Sequence, residues 1–191
     1  RGREAASYDN ILRFRDRYLK KIEARSDGSP LITDKMPHNF CHLGLILSSI
    51  PEAKIIHVKR DSAAVCWANY KIFFVSRALS YCYSLEDVVE YYSLYERLMN
   101  HWNQILPNTI YEVDYDSLTV NQERETKKLI KHLQLDWADA CLYPEANERI
   151  VATASNLQVR KKVYKNSSKQ WKKYEHLLDG AFDDLKKNRN S

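Results

Sequence analysis

Lys54-Ile-Ile-His-Val-Lys59 runs directly into Arg60-Asp-Ser62, and the two halves of that run need different backbones. The first half is rich in β-branched residues and ends on a charged corner, the pattern of a strand. In the second half either Asp61 or Ser62 is a good helix N-cap, and the spacing behind them predicts a helix reaching about Phe74. A strand that hands over at once to a helix is the start of an α/β unit. In parallel α/β folds ligands gather at the carboxyl ends of strands, where helix N-termini offer free N–H groups to anions. Arg60 stands at that corner with a guanidinium able to grip a phosphate through two parallel hydrogen bonds. Lys35 stands at an analogous corner, after the short apolar run Leu31-Ile-Thr33, which reads as a neighbouring strand. Two cations at two strand ends make a phosphate or sulfate pocket; the spacing does not name the ligand.

Outward from this corner the chain alternates strand and helix. Residues 8–25 carry Ile11, Leu12, Tyr18, Leu19 and Ile22 on one helical stripe. The turn cluster Ser26-Asp-Gly-Ser-Pro30 stops it. Residues 39–49 read as a helix ending before Pro51. Downstream, Ser84-Leu-Glu-Asp87 resembles a capping box, with Asp at the position usually held by Glu or Gln. The helix behind it presents Val88, Tyr91, Tyr92, Tyr95, Leu98, Met99, Trp102 and Ile105 at helical spacing, a core stripe rather than a stacking surface. Pro107-Asn108 stops that helix, and Thr109-Ile-Tyr-Glu-Val113 is a second good strand. Residues 122–133 return to helix with Leu129, Ile130 and Leu133 inward. Residues 143–155 have no regular pattern, and one or two helices around Trp171 and Leu177 close the chain. This order predicts a single α/β domain, a small parallel sheet flanked by helices, without internal repeats.

With 191 residues and 44% hydrophobic side chains the chain can bury a core, which excludes global disorder. No apolar run approaches the roughly 20 residues of a membrane span. Gly2, Gly28, Gly44 and Gly180 are too scattered to form a glycine-rich phosphate loop. Cys41, Cys66, Cys82 and Cys141 have no CxxC spacing and fit buried thiols or a reducing compartment, hence a cytoplasmic location. His38, Cys41 and His42 could share a helix face, but no further ligand has the right spacing, so ordinary packing is the reading and no metal is expected. The net charge of +5 is uneven. Residues 160–191 hold ten Lys/Arg against four Asp/Glu, a net of +6; residues 1–159 hold 20 against 21, a net of −1. Such a run is most simply a solvated helical face, or else a segment that binds nucleotide phosphate or nucleic acid.

Thr33-Asp-Lys-Met-Pro-His-Asn39, followed by Ile50-Pro-Glu-Ala-Lys-Ile-Ile-His-Val-Lys-Arg-Asp61, resembles the sulfotransferase family. Further matching stretches come in order: Glu90-Tyr-Tyr-Ser-Leu-Tyr-Glu96, Glu112-Val-Asp-Tyr-Asp-Ser-Leu118, Thr153-Ala-Ser155, Gln158-Val-Arg160 and Trp171-Lys-Lys-Tyr174. The likeness runs from about residue 30 to about residue 178. It is nearest to the branch often fused to tetratricopeptide repeats and related to protein-tyrosine sulfotransferases. The resemblance implies a P-loop-NTPase-like fold and transfer of a sulfuryl group from 3′-phosphoadenylyl sulfate (PAPS) to a hydroxyl or amine, leaving the bisphosphate PAP. It also implies that Arg60 holds the 3′-phosphate and that Lys35 stabilises the sulfuryl oxygens during in-line displacement. Tyr115 and Ser155 would lie near the nucleotide or the sulfuryl group. Residues 160–191 would close over the nucleotide, with Arg160, Lys161 and Lys169 facing it. The implied partners are the nucleotide and a hydroxyl-bearing acceptor, whether peptide tyrosine, sugar or small alcohol; nucleic acid is not among them. A protein-tyrosine type would sit in the Golgi lumen.

Three departures accompany the likeness. Ala68 stands where relatives usually carry a Ser that shares the 3′-phosphate. One hydrogen bond to a charged group is worth about 1.5–3 kcal/mol, which Asn69 or water would have to supply. Gln170 stands where many relatives have a basic residue before Trp171. The 5′-phosphosulfate loop, Pro-Arg/Lys-Ser-Gly-Thr/Ser after the first strand, has no counterpart in residues 1–30, nor has the Glu shortly after it that serves as general base in the protein-tyrosine branch. The expectation is therefore an N-terminally truncated domain over 1–191, inactive alone, with its first strand and loop upstream. One alternative is a non-catalytic relative kept as a binding or interaction module. Another is a nucleic-acid binder using Tyr164, Trp171 and Tyr174.

Overall fold

The structure, a computed structural model, describes residues 7–147 and 161–187. Their contacts group into two compact units, Arg1–Ile55 with Arg97–Thr109, and Ile56–Glu96 with Ile110–Ser191.

The first unit opens with α1 (Tyr8–Glu23), capped by Ser7, whose hydroxyl accepts from the Asn10 N–H. Of the stripe expected to face inward, Ile11, Tyr18 and Ile22 are half-buried, whereas Leu12 and Leu19 are exposed and Arg15 shares the inner face. The cause is a polar demand on that face. Arg15 Nη1 donates to the Ser49 carbonyl and to Glu52 Oε2, both at 2.9 Å, and Nη2 pairs with Glu52 Oε1. The guanidinium thus satisfies a carbonyl at the end of α2 (Leu43–Ser49) that has no helical partner of its own. Its hydrogen bonds hold the Glu52 carboxyl down to about 2. Pro37 opens a 3-10 turn, Pro37–His42, before α2, so the helix expected over 39–49 is split in two. A Cβ on Gly44 would come within 3.1 Å of the Trp102 ring, and Trp102 Nε1 donates to the Phe40 carbonyl at 2.8 Å. Leu43, Ile50 and Met99 are the buried apolar residues of this unit among those described. Leu31-Ile-Thr33 is not a strand. Residues 31–36 are coil with Leu31 and Ile32 exposed, because an extended segment with no neighbouring strand makes no ladder.

β1 (Ile55–Lys59) and β2 (Ile110–Asp114) form a small parallel sheet, all of it but Ile55 in the second unit. A parallel pair needs a long crossover, and α3 (Ser62–Tyr70), a 3-10 segment (Arg77–Tyr83) and α4 (Leu85–Ile105) supply it. This is the α/β class the strand–helix alternation required. Helix α3 ends four residues early because Ile72-Phe-Phe-Val75 is a run of poor helix formers. Phe73 and Val75 there are exposed, and the stacking of Phe73 on Tyr83, centroids 5.9 Å apart, does not bury enough to compensate. Ser84 Oγ accepts from the Asp87 N–H at 3.2 Å and caps α4, as the sequence demanded. The stripe on α4 is packed: Val88 and Met99 are buried and Tyr91 stacks on Tyr81 with ring centroids 3.9 Å apart, while Ile105 alone of the eight is exposed. After β2, Asp114 caps α5 (Tyr115–Val120), and α6 (Gln122–Leu133) coincides with its predicted range.

The basic segment ends in a 3-10 run, Ser167–Leu177, and α7 (Asp183–Lys187). Trp171, Leu178, Phe182 and Leu185 join Ala63, Ala64, Cys66 and Val88 in one buried cluster. Its lysines at 169, 172 and 173 point outward. Trp171 is only 4% exposed, which removes it as a platform for stacking bases. All four cysteines are free thiols, and among the described residues no helix is long and apolar enough to cross a membrane.

Candidate active site

Arg60 leaves the carboxyl end of β1 half-buried. Its Cζ lies 5.1 Å from the ring centroid of Tyr115, the first residue of α5, so the ends of both strands meet at this cation. On another side its Nε donates to Ser168 Oγ at 2.9 Å. Ser167 Oγ, next in the chain, lies 3.5 Å from the Tyr115 hydroxyl. Both serines are buried. Among the described residues, neither terminal nitrogen of Arg60 has a hydrogen-bond or ion-pair partner. A guanidinium held by one edge and one face, with its fork unused, suits a planar pair of phosphate oxygens.

The helix N-terminus beside it is less open than the sequence suggested. Asp61 Oδ1 accepts from the Ala64 N–H at 2.8 Å, and Asp116 Oδ2 accepts from the Asp61 N–H at 3.3 Å. Carboxylates therefore occupy donors at the start of α3, and the anion-holding capacity of this corner rests on Arg60.

The other expected site residues are placed as follows. Lys35 lies exposed on the 31–36 coil of the first unit, so it does not follow a strand. Lys161 and Lys169 are exposed. Ser155 and Arg160 lie outside the described residues. Ala68 is half-buried, and the hydroxyl that meets Arg60 belongs to Ser168 rather than to any neighbour of position 68. Sequence reading passed over Ser167 and Ser168. The available signal was register: in 3-10 geometry Ser168 and Trp171 share a face, so a buried Trp171 brings Ser168 inward. Among the described residues no three His, Cys, Asp or Glu side chains group to hold a metal ion.

A second polar cluster lies on the strands themselves. His57 Nε2 is 2.5 Å from the Tyr95 hydroxyl, and Nδ1 is 3.4 Å from Glu112 Oε1. An ionised Glu112 only accepts, which assigns the proton to Nδ1 and makes Tyr95 the donor to Nε2. Burial pushes the His57 pKa down more than Glu112 pulls it up. The Tyr95 hydroxyl is pushed up to about 12, chiefly by burial.

Residues 4–139 match a family model described as the sulfotransferase family. The chain belongs to the sulfotransferase family. Lys35, Arg60 and Tyr115 of this family member lie inside the matched stretch; Ser167 and Ser168 lie beyond it. An uncharacterized protein of Aquifex aeolicus (strain VF5) is 35% identical to it over 170 residues, 88% of this chain and 22% of that protein. The chain thus spans less than a quarter of the length of that relative. The chemistry of the family is sulfuryl transfer, generally from PAPS. The Arg60 corner fits a phosphate-bearing nucleotide, since Arg60 is half-buried, its fork has no partner among the described residues, and the buried Ser168 hydroxyl lies beside it.

Proposed function

We propose that the chain is the nucleotide-holding part of a PAPS-dependent sulfotransferase, of the branch linked to tetratricopeptide repeats and protein-tyrosine sulfotransferases. The open fork of Arg60, at the joint end of two parallel strands, carries this reading. PAPS, when bound, supplies the sulfuryl group and a stable leaving group. Arg60 holds its 3′-phosphate, with the Tyr115 ring fixing the guanidinium. Ser155, Arg160, Lys161 and Lys169 provide further contacts from the C-terminal side, and Lys35 offsets negative charge on the sulfuryl oxygens. The 5′-phosphosulfate loop and the general base come from polypeptide outside residues 1–191, so this stretch alone transfers no sulfate. The acceptor is a hydroxyl or amine, with peptide tyrosine the one the branch suggests.

Calorimetric titration of PAP into the chain and into its Arg60→Ala variant tests the reading. Loss of charge-assisted hydrogen bonds worth about 1.5–3 kcal/mol weakens binding on the order of 10- to 100-fold. Equal affinities sink it. Ala68 and Gln170 favour a second reading, a non-catalytic relative. That reading keeps the Arg60-dependent binding of PAP but gives no turnover in any longer form of the protein.

A further inference from the structure

Ser168 enters the Arg60 corner from a part of the chain 108 residues away. Asn166, in the left-handed region at φ 65°, turns the backbone into the 3-10 run that begins at Ser167. Three residues beyond Ser168, Trp171 is buried edge-on against Phe182, with ring centroids 5.6 Å apart. The serine pair is therefore set by the core of the unit and does not swing with the exposed lysines around it. Ser168 is 6% exposed. Its oxygen accepts from Arg60 Nε, and among the described residues its own O–H has no acceptor. A hydroxyl carries one donor as well as two acceptor sites, so that proton needs a destination, and leaving it buried without one is unfavourable. Among the described residues the guanidinium fork of Arg60 also lacks a partner. Two donor groups without an acceptor among the described residues thus belong to side chains joined by the Nε–Oγ hydrogen bond.

We propose that Ser168 is a specificity-determining residue of this anion site. It fixes the Arg60 guanidinium through Nε and donates its own O–H to an oxygen of the same phosphate monoester that the fork holds. The inference rests on the PAPS reading, in which that group is the ribose 3′-phosphate. Ser168 then discriminates a 3′-phosphorylated nucleotide from one that carries only the 5′-phosphate. Its neighbour Ser167 lies against the Tyr115 hydroxyl and takes no such part.

The test titrates PAP and adenosine 5′-monophosphate into the wild-type chain and into Ser168→Ala, Ser168→Cys, Ser167→Ala and Arg60→Ala. Ser168→Ala weakens PAP on the order of tenfold, the worth of a hydrogen bond to a charged group, and leaves unchanged the weaker binding of the 5′-monophosphate, which without the 5′-phosphosulfate loop rests on its adenosine. Ser168→Cys, with a weak donor in nearly the same volume, falls between wild type and alanine and guards against a folding defect. Two results overturn the proposal while the PAPS reading stands. In the first, Arg60→Ala loses PAP while Ser168→Ala keeps it. In the second, Ser168→Ala loses both nucleotides equally, or Ser167→Ala matches its effect. If the wild-type chain binds no PAP, the PAPS reading and this inference fall together.

Discussion

Arg15 and Arg60 are the same side chain put to opposite uses. Arg15 engages both terminal nitrogens, on the Ser49 carbonyl and the Glu52 carboxylate, and so ties α1 to α2. Arg60 is fixed through Nε and its ring-facing side, and among the described residues its fork has no partner. A charge count treats the two alike; only the partners tell them apart. His57 shows the same contrast between a residue type and its setting. It faces Tyr95 from α4, Glu112 from β2 and Lys59 along its own strand, and burial lowers its pKa from 6.5. In the interval between the two values the unfolded chain binds the proton and the folded chain does not. The stabilisation is complete above about 6.5 and is lost as the pH falls through the lower folded-state value. Glu52 acts in a separate window, its contribution present above 4.5 and lost as the pH falls towards about 2. The urea midpoint of the chain therefore drops between about pH 7.5 and pH 5.5, and His57→Gln flattens that slope. Identical slopes in the two proteins would remove His57 as the cause.

At the level of elements, whatever was encoded locally was legible. The β-branched run before Arg60 is β1, the period over 122–133 is α6, and Ser84 caps α4 where a capping box was read. Elements that depend on distant partners were misread. Leu31-Ile-Thr33 has strand composition and no strand beside it, and α3 stops at Tyr70 because Ile72-Phe-Phe-Val75 stays largely exposed, with Phe73 stacked only on the ring of Tyr83. The Ser84 cap gives a clean test of the local kind. Ser84→Ala leaves an N–H at the head of a 21-residue helix without its side-chain acceptor and costs about 1 kcal/mol. Urea unfolding reads this as a lower midpoint at unchanged slope. A midpoint within error of wild type would mean that water replaces the cap at no cost.

For the molecule as a whole, the decisive question is what the basic C-terminal segment is for. Its charge was plain in the sequence, and the solvated-face reading holds for its exposed lysines. Its other face was harder to read, because Trp171 and Leu178 meet Ala63, Cys66 and Val88 across roughly a hundred residues of chain, a separation that no local period records. Ser168 was hidden for the same reason. The two faces predict separable effects. Trp171→Ala removes a buried aromatic that contacts Phe182 and costs about 3–5 kcal/mol, a large fraction of the stability of a small unit. Lys169→Ala, on the exposed face, changes stability by less than about 0.5 kcal/mol. In the PAPS reading it nevertheless weakens PAP, and more so at low ionic strength, where an exposed cation is least screened. Denaturant melts and PAP titrations on the same two variants decide the matter. A segment that is only a detachable cover gives a Trp171→Ala protein with wild-type stability and lost binding. A segment that is part of the core gives the reverse order of stabilities, with Lys169→Ala melting like wild type, and that is the order expected from a tryptophan seated among Ala63, Ala64 and Val88.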